Sequence, residues 1–164
     1  LDPVPFSLGQ PLSLSSIREY LKLLPEDIAP ERKAVITCAL RSVGKIPYYY
    51  GGKPSFPGLD GNNFASVRIP DSKGRVLSGL DCSGWVNWVY WTALGQRPSG
   101  QGTFDFVNTG HSISKEELKP GDLAISLGAD PHVVMFLAWN ADGSMLAIHE
   151  TAGGVNNVTV SSVP

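Results

Sequence analysis

Residues 80–86 read Leu-Asp-Cys-Ser-Gly-Trp-Val, and the apolar helical pattern that follows them continues to Leu94 and stops at Gly95. Cys82 therefore stands where a polar loop meets the first turn of a predicted helix. Unpaired backbone N–H groups and the helix dipole at that position favour a thiolate over a thiol. The same N–H groups are suited to hold an oxyanion. Cys82 could instead be a small core residue, but its small polar neighbours make a poor core segment. The pattern predicts a nucleophile.

The second cysteine, Cys38, has a different setting. It lies in a helical pattern that Pro30 can open and Gly44 can end, and no polar residues cluster around it. We interpret Cys38 as a structural residue. Two cysteines do not make a disulfide framework, and pairing of Cys38 with Cys82 in an oxidising compartment stays open.

Two histidines border apolar runs that read as strands. His132 begins the run of residues 133–139, and His149 stands near the end of the run of residues 144–150. A cysteine nucleophile needs a base, and the base needs an orienting group, so this pair is the candidate for both roles. The third histidine, His111, lies in a Gly-Ser loop and is interpreted as a structural or surface residue.

The loop between these two strands decides whether the histidines meet. A loop of residues 140–143 pairs Trp139 with Ser144 and puts His149 opposite a residue two places from His132. Side chains two apart on a strand share a face, so the histidines would be diagonal neighbours. A tight turn at Asp142-Gly143 keeps the same face but moves the two histidines apart. The geometry favours the longer loop and leaves the tight turn open.

Helical patterns come first along the chain and strand patterns last, which favours an α+β fold with an antiparallel sheet over alternating βαβ units. We predict a short helix near the amino terminus with Ser15 or Ser16 as its N-cap. Residues 53–79 are rich in Gly, Pro, Ser, Asp and Asn, with a small hairpin of residues 67–69 and 75–77 inside. This long loop either covers a site or is a surface insertion. The predicted strands of the sheet are residues 123–127, 133–139, 144–150 and 158–160.

The composition excludes several classes of protein. With 164 residues, 42% of them hydrophobic, the chain suits one domain with a single core. A net charge of −2 at pH 7 argues against nucleic acid as a partner. The sequence has no run of about 18 apolar residues that would predict a membrane span. The zinc motifs H-E-x-x-H and paired C-x-x-C are also absent. Because the chain begins at Leu1, we expect a domain cut from a longer precursor whose export signal was lost.

Five short motifs together resemble the NlpC-type cell-wall peptidases, a papain-like group. The stretch around Cys82 looks like the D-C-S-G nucleophile motif of that family, and the stretch from His132 looks like its catalytic-histidine strand. Each motif alone is weakly specific, but all five occur in the family's order between residues 47 and 150. The stretches are residues 47–52 (Pro-Tyr-Tyr-Tyr-Gly-Gly), 80–86, 118–123 (Leu-Lys-Pro-Gly-Asp-Leu), 132–137 and 148–150 (Ile-His-Glu).

The resemblance implies a papain-like α+β fold, in which N-terminal helices and the nucleophile helix pack on a C-terminal antiparallel sheet. We expect an N-terminal arm and short helix over residues 1–30 and a peptidase domain over residues 31–164. The implied partner is the stem peptide of bacterial peptidoglycan, cleaved between D-γ-glutamate and a diamino acid. No metal or organic cofactor is implied. We expect a monomer that is secreted or associated with the cell wall.

The resemblance also implies roles for individual residues. Cys82 matches the nucleophile, His132 the general base and acid, and His149 the orienting third residue. Three further positions match residues near the nucleophile that contact the substrate. These are Tyr48, Asp81 and Ser83.

Two features depart from the family pattern, and only the first bears on substrate specificity, since the second is a minor difference. The stretch from Lys53 to Gly79 is longer than usual, and His132 follows Asp130-Pro131 rather than a glycine-rich lead. Two other functions stay open: an N-acetylmuramoyl-L-alanine amidase or cross-bridge peptidase with the same triad, and a non-catalytic wall-binding module. Wall binding alone would not require all three residues of the triad.

Overall fold

The computed structural model describes residues 11–46, 48–50, 54, 67–70, 76–96, 113–126, 131–152 and 155–163. Its helices are α1 (Leu14–Leu21), α2 (Pro30–Ser42) and α3 (Cys82–Leu94), with a 3-10 turn at Lys115–Glu117. Its strands are β1 (Val67–Pro70), β2 (Val76–Gly79), β3 (Leu123–Ser126), β4 (His132–Trp139), β5 (Met145–Thr151) and β6 (Asn157–Val163). His111 and residues 1–10 of the predicted arm lie outside the described residues.

The architecture is the predicted α+β arrangement. β3, β4, β5 and β6 form one antiparallel sheet in that order, with β3 and β6 at its edges. β1 and β2 form a separate antiparallel hairpin, which confirms the hairpin predicted inside the long loop. Most of residues 53–79 otherwise lie outside the described residues, so the role of that loop stays a prediction. Within the described part of the chain, no helix is both long and apolar enough to cross a bilayer.

Two helix starts differ in how they are capped. Helix α1 begins after Ser13, whose hydroxyl accepts a hydrogen bond from the Ser16 backbone N–H at 3.1 Å. The predicted caps, Ser15 and Ser16, are therefore wrong and lie inside the first turn, because a serine run offers several equivalent starts. Helix α2 opens at Pro30, as predicted, since proline at the first helical position gives up an N–H that has no partner there.

Helix α3 carries the cysteine and packs in the centre of the fold. Trp85 and Trp88 on this helix are fully buried in the main core. The indole Nε1–H of Trp85 donates to the Ser42 hydroxyl on α2 at 2.9 Å. The helix ends at Gly95, whose φ of +73° is the left-handed conformation that glycine adopts at little cost. These contacts hold the amino-terminal end of α3, and with it Cys82, at a defined place on the sheet.

The residues of β4 alternate between two faces, as expected for a strand. One set joins the main core beneath the helices, and the other set lies on the opposite face. A second, smaller cluster forms on that opposite face. The main-core residues of β4 are Val133, Met135 and Leu137, and the second cluster contains Val134, Phe136, Met145 and Ala147.

The hairpin of β4 and β5 corrects the predicted loop by one residue. Trp139 pairs with Met145 rather than Ser144, so the loop has five residues, 140–144, closed by a bond from Asn140 N to Ser144 O at 2.8 Å. A β-bulge between Phe136 and Ala138 then shifts the register by one residue. Beyond the bulge the pairing follows the predicted register, because an extra residue in one strand offsets the longer loop.

The Leu-Lys-Pro-Gly-Asp-Leu stretch is a structural junction. Gly121 has a φ of +95°, and its N–H donates to the Phe136 carbonyl at 2.9 Å. Its own carbonyl accepts from the Tyr90 hydroxyl of α3 at 2.6 Å. Asp122 forms an ion pair with Arg32 of α2 at 2.7 Å. The turn before β3 is therefore tied to both long helices and to β4, which fixes the sheet against them.

Candidate active site

Cys82 is the first residue of α3 and is 6% exposed. Asp81 caps the helix, with its Oδ1 accepting from Gly84 N at 2.7 Å and from Ser83 Oγ at 3.2 Å. Both Asp81 and Ser83 are buried. The two neighbours that sequence reasoning placed against the substrate thus also build the first turn that carries the thiol.

The other cysteine has no such setting. Cys38 is buried in the middle of α2, and burial raises the pKa of its thiol to about 12, with Arg41 acting weakly in the opposite direction. Both Cys38 and Cys82 are free thiols, so the alternative of a disulfide between them does not hold. Cys38 is a core residue, as expected.

The two histidines meet on one face of the sheet. His132 Nε2 lies 2.8 Å from His149 Nδ1, and the rings are arranged edge to face with centroids 5.0 Å apart. This confirms the prediction that they are diagonal neighbours, which depended on the register of β4 against β5. The contact leaves the Nδ1 atom of His132 on the side of the ring away from His149.

Burial sets the charge of the pair. It lowers the pKa of His132, and burial together with the nearby His132 lowers the pKa of His149 to about 4. His149 is therefore neutral at pH 7. A neutral His149 can accept a hydrogen bond from an imidazolium at His132, which a charged one could not do.

Tyr48 lies beside the start of α3. It forms an isolated parallel bridge with Leu80, and the neighbouring Tyr49 N–H donates to the Leu80 carbonyl at 3.0 Å. Burial, followed by the charges of Cys82 and Asp81 among others, raises the pKa of Tyr48 to about 12. Its hydroxyl thus keeps its proton and can donate a hydrogen bond near Cys82.

Two comparisons relate the chain to known proteins. The model of the NlpC/P60 family matches residues 44–163, a span that includes Cys82 and both histidines. The chain belongs to the NlpC/P60 family. It is also similar to the peptidoglycan DL-endopeptidase CwlO of Bacillus licheniformis, with 29% identity over 107 residues. That alignment covers 64% of this chain and 20% of CwlO, so the chain spans about a fifth of the length of this relative.

Sequence reasoning missed one buried acid of this NlpC/P60 domain. Glu150 is 0% exposed, and neither carboxyl oxygen has a hydrogen-bond partner among the described residues. Burial, followed by the charges of Asp81 and Cys82, raises its pKa to about 10. The strand period places Glu150 on the helix-facing side with Ile148, which was a signal that could have been read. That the start of α3 lies over this end of the strand is a long-range contact that no local pattern contains.

The second missed residue is Ser161 on β6. Its hydroxyl oxygen lies 2.7 Å from Nε2 of His149, on the side of the ring opposite His132. The predicted strand stopped at residue 160, just before Ser161, whereas β6 extends three residues further to Val163. In the described part of the NlpC/P60 domain, no group of three or more potential metal ligands lies together.

Proposed function

We propose that this NlpC/P60 domain is a cysteine endopeptidase that hydrolyses peptidoglycan stem peptides at the bond between D-γ-glutamate and the diamino acid. The contact between His132 and His149 at 2.8 Å carries the proposal, because such a pair supplies a base and its orienting group. A cysteine at a helix start supplies the nucleophile. The name of the CwlO relative, a DL-endopeptidase, supports the choice of substrate.

In the proposed reaction His132 Nδ1 takes the proton of the Cys82 thiol, and the sulfur attacks the glutamyl carbonyl carbon. Protonated His132 then gives this proton to the leaving amino group, so the C–N bond breaks and a thioester remains on Cys82. A water molecule that loses its proton to His132 attacks the thioester. The C–S bond breaks, the thiol regains a proton, and the glutamyl carboxylic acid is released.

His149 has a supporting role in this scheme. Its pKa of about 4 makes it too weak a base to deprotonate a thiol at neutral pH. A neutral imidazole can instead hold the Nε2–H of His132 and so keep Nδ1 directed away from itself. We therefore assign His149 as the orienting residue and His132 as the base.

The proposed substrate contacts come from Tyr48, which bridges Leu80 beside the start of α3, and from the residues that open this helix. The protonated hydroxyl of Tyr48 can donate to the carbonyl that is attacked, and Asp81 can attract an ammonium group of the peptide. Ser83 lies next to both Cys82 and Asp81. The proposed substrate is a wall component, so we also propose a secreted or wall-associated protein that acts as a monomer.

Digestion of defined muropeptides tests the bond. A tripeptide or tetrapeptide stem should yield an L-Ala–D-Glu fragment and a second fragment that begins with the diamino acid, as read from the masses of the products. A free stem that begins with L-Ala would instead identify an N-acetylmuramoyl-L-alanine amidase. Binding to wall sacculi by wild type without any new termini would identify a non-catalytic module. Either result would contradict the proposal.

A further inference from the structure

His149 has hydrogen-bond partners on both ring nitrogens. Nδ1 lies 2.8 Å from His132 Nε2, and Nε2 lies 2.7 Å from the hydroxyl oxygen of Ser161. Ser161 stands on the edge strand β6, where it pairs with Ala147, and so reaches His149 diagonally across the sheet. The three side chains form a chain of hydrogen bonds on one face, from β4 through β5 to β6.

We infer that Ser161 is a positioning residue that selects the tautomer of His149 and thereby stabilises the protonated form of His132. This inference rests on the proposed function, since it gives Ser161 a role in the reaction of Cys82. Neither the family resemblance nor the matched motifs pointed to this residue.

The number of protons on the two imidazole rings decides which nitrogen of His149 is protonated. When His132 is protonated, both of its ring nitrogens carry hydrogen, so its Nε2–H must donate to a bare Nδ1 on His149. A neutral His149 then carries its single proton on Nε2, and that N–H needs an acceptor. Ser161 Oγ stands at the required place and distance.

The opposite pattern would prevent catalysis. If the Ser161 hydroxyl donated to His149 Nε2, the His149 proton would sit on Nδ1 and point at His132 Nε2. His132 would then carry its own proton on Nδ1, the atom that must be unprotonated to accept the proton of the thiol. Without the acceptor at residue 161, the buried N–H of His149 loses its partner, and the cost of an unpaired donor favours this inactive tautomer.

Few charged groups near His149 could replace the Ser161 hydroxyl. On β4 the titratable neighbour is His132, and β6 presents the hydroxyls of Ser161 and of Thr159, which pairs directly with His149. Glu150 is the next residue of β5, and its side chain points to the other side of the strand from His149. At the start of α3, the ionisable groups are Cys82 and Asp81, and Tyr48 lies beside them.

Substitution at residue 161 tests the inference through a pH profile. Ser161→Ala should lower kcat/KM on a stem tripeptide about 5- to 10-fold, the size of one lost hydrogen bond. It should also move the acid limb of the profile to lower pH by up to about one unit, because protonated His132 is stabilised less and the base stays neutral to lower pH. Ser161→Thr keeps a hydroxyl on a β-branched side chain that suits a strand. It should restore most of the rate and return that limb of the profile close to its wild-type pH.

Ser162→Ala is the matched control. It removes the same group from the next residue of β6, whose hydroxyl faces the other side of the sheet and accepts from Asn140 at 3.1 Å. This control should keep the wild-type profile. An unchanged profile in Ser161→Ala would overturn the inference, and so would an equal loss in Ser162→Ala, because a general weakening of β6 would then explain both.

A measurement without substrate separates this inference from the proposed function. Nitrogen NMR shifts of the imidazole rings should show His149 protonated on Nε2 in wild type at about pH 7, and shifted toward the Nδ1–H form in Ser161→Ala. The same Nε2–H form in both proteins would overturn the inference. A tautomer change in a protein that cleaves no muropeptide would instead leave Ser161 in place as a positioning residue and reject the proposed reaction.

Discussion

Glu150 makes the stability of the fold depend on pH. Its carboxyl is buried on the helix-facing side of β5, without a hydrogen-bond partner among the described residues, and its pKa is raised to about 10. In the unfolded chain a glutamate has a pKa of about 4.3. Between these values the folded state keeps a proton that the unfolded state releases. The contribution of Glu150 to the free energy of unfolding should therefore be greatest at low pH and fall as the pH rises toward 10.

The size of the effect follows from one proton. A difference of one bound proton changes the free energy of unfolding by at most about 1.4 kcal/mol per pH unit. Above about pH 7 His132 and His149 are largely neutral in both states, because their pKa values are lowered in the folded state and an unfolded histidine has a pKa of about 6.5. Between about pH 7 and pH 9, wild type should lose up to about 3 kcal/mol relative to Glu150→Met, which keeps the length of the side chain without its carboxyl.

Urea unfolding at several pH values, followed by the fluorescence of the buried Trp85 and Trp88, measures this difference. Glu116→Gln, which changes an exposed carboxyl, is the control and should run parallel to wild type. The Glu150→Met line should instead rise above wild type steadily with pH. Parallel lines for wild type and Glu150→Met would refute the reasoning, because Glu150 would then titrate alike in the folded and unfolded chain.

Three further predictions concern the two cysteines, His149 and Ser42. Near pH 7, iodoacetamide should label Cys82 well before Cys38, whose pKa of about 12 keeps it a thiol; equal labelling in a peptide map would contradict an activated Cys82. His149→Ala should lower kcat but leave activity, with His149→Asn retaining more because an amide can still bond His132; wild-type kinetics in His149→Ala would remove its orienting role. Ser42→Ala should cost about 1–3 kcal/mol in urea unfolding by leaving the buried Trp85 N–H unpaired, and no loss would contradict that bond.

The meeting of the two histidines could be predicted because strands have a strict period of two. His132 and His149 were assigned to one face from their spacing to a single loop, and the structure brings them to 2.8 Å. The loop length itself was wrong by one residue. A β-bulge near Leu137 compensated for this error. Such a bulge cannot be predicted from the alternation of apolar residues, because both faces of this strand are buried.

Other parts of the site depend on contacts that are distant in sequence. Glu150 is buried because the start of α3 lies over that end of β5, and Tyr48 approaches the nucleophile by pairing with Leu80. Ser161 reaches His149 only once β6 is aligned on β5. Local propensity indicates that these segments are helix, loop or strand, but the pairing that unites them is set by tertiary packing.

In the proposed reaction Cys82 performs the chemistry, and a comparison of two cysteine variants tests this claim. Cleavage of a defined stem tripeptide should be measured for wild type, Cys82→Ala and Cys38→Ala under one set of conditions. The claim predicts no cleavage by Cys82→Ala in a protein that stays folded, and cleavage by Cys38→Ala in proportion to its folded fraction. Cleavage by Cys82→Ala at the wild-type rate would contradict the claim.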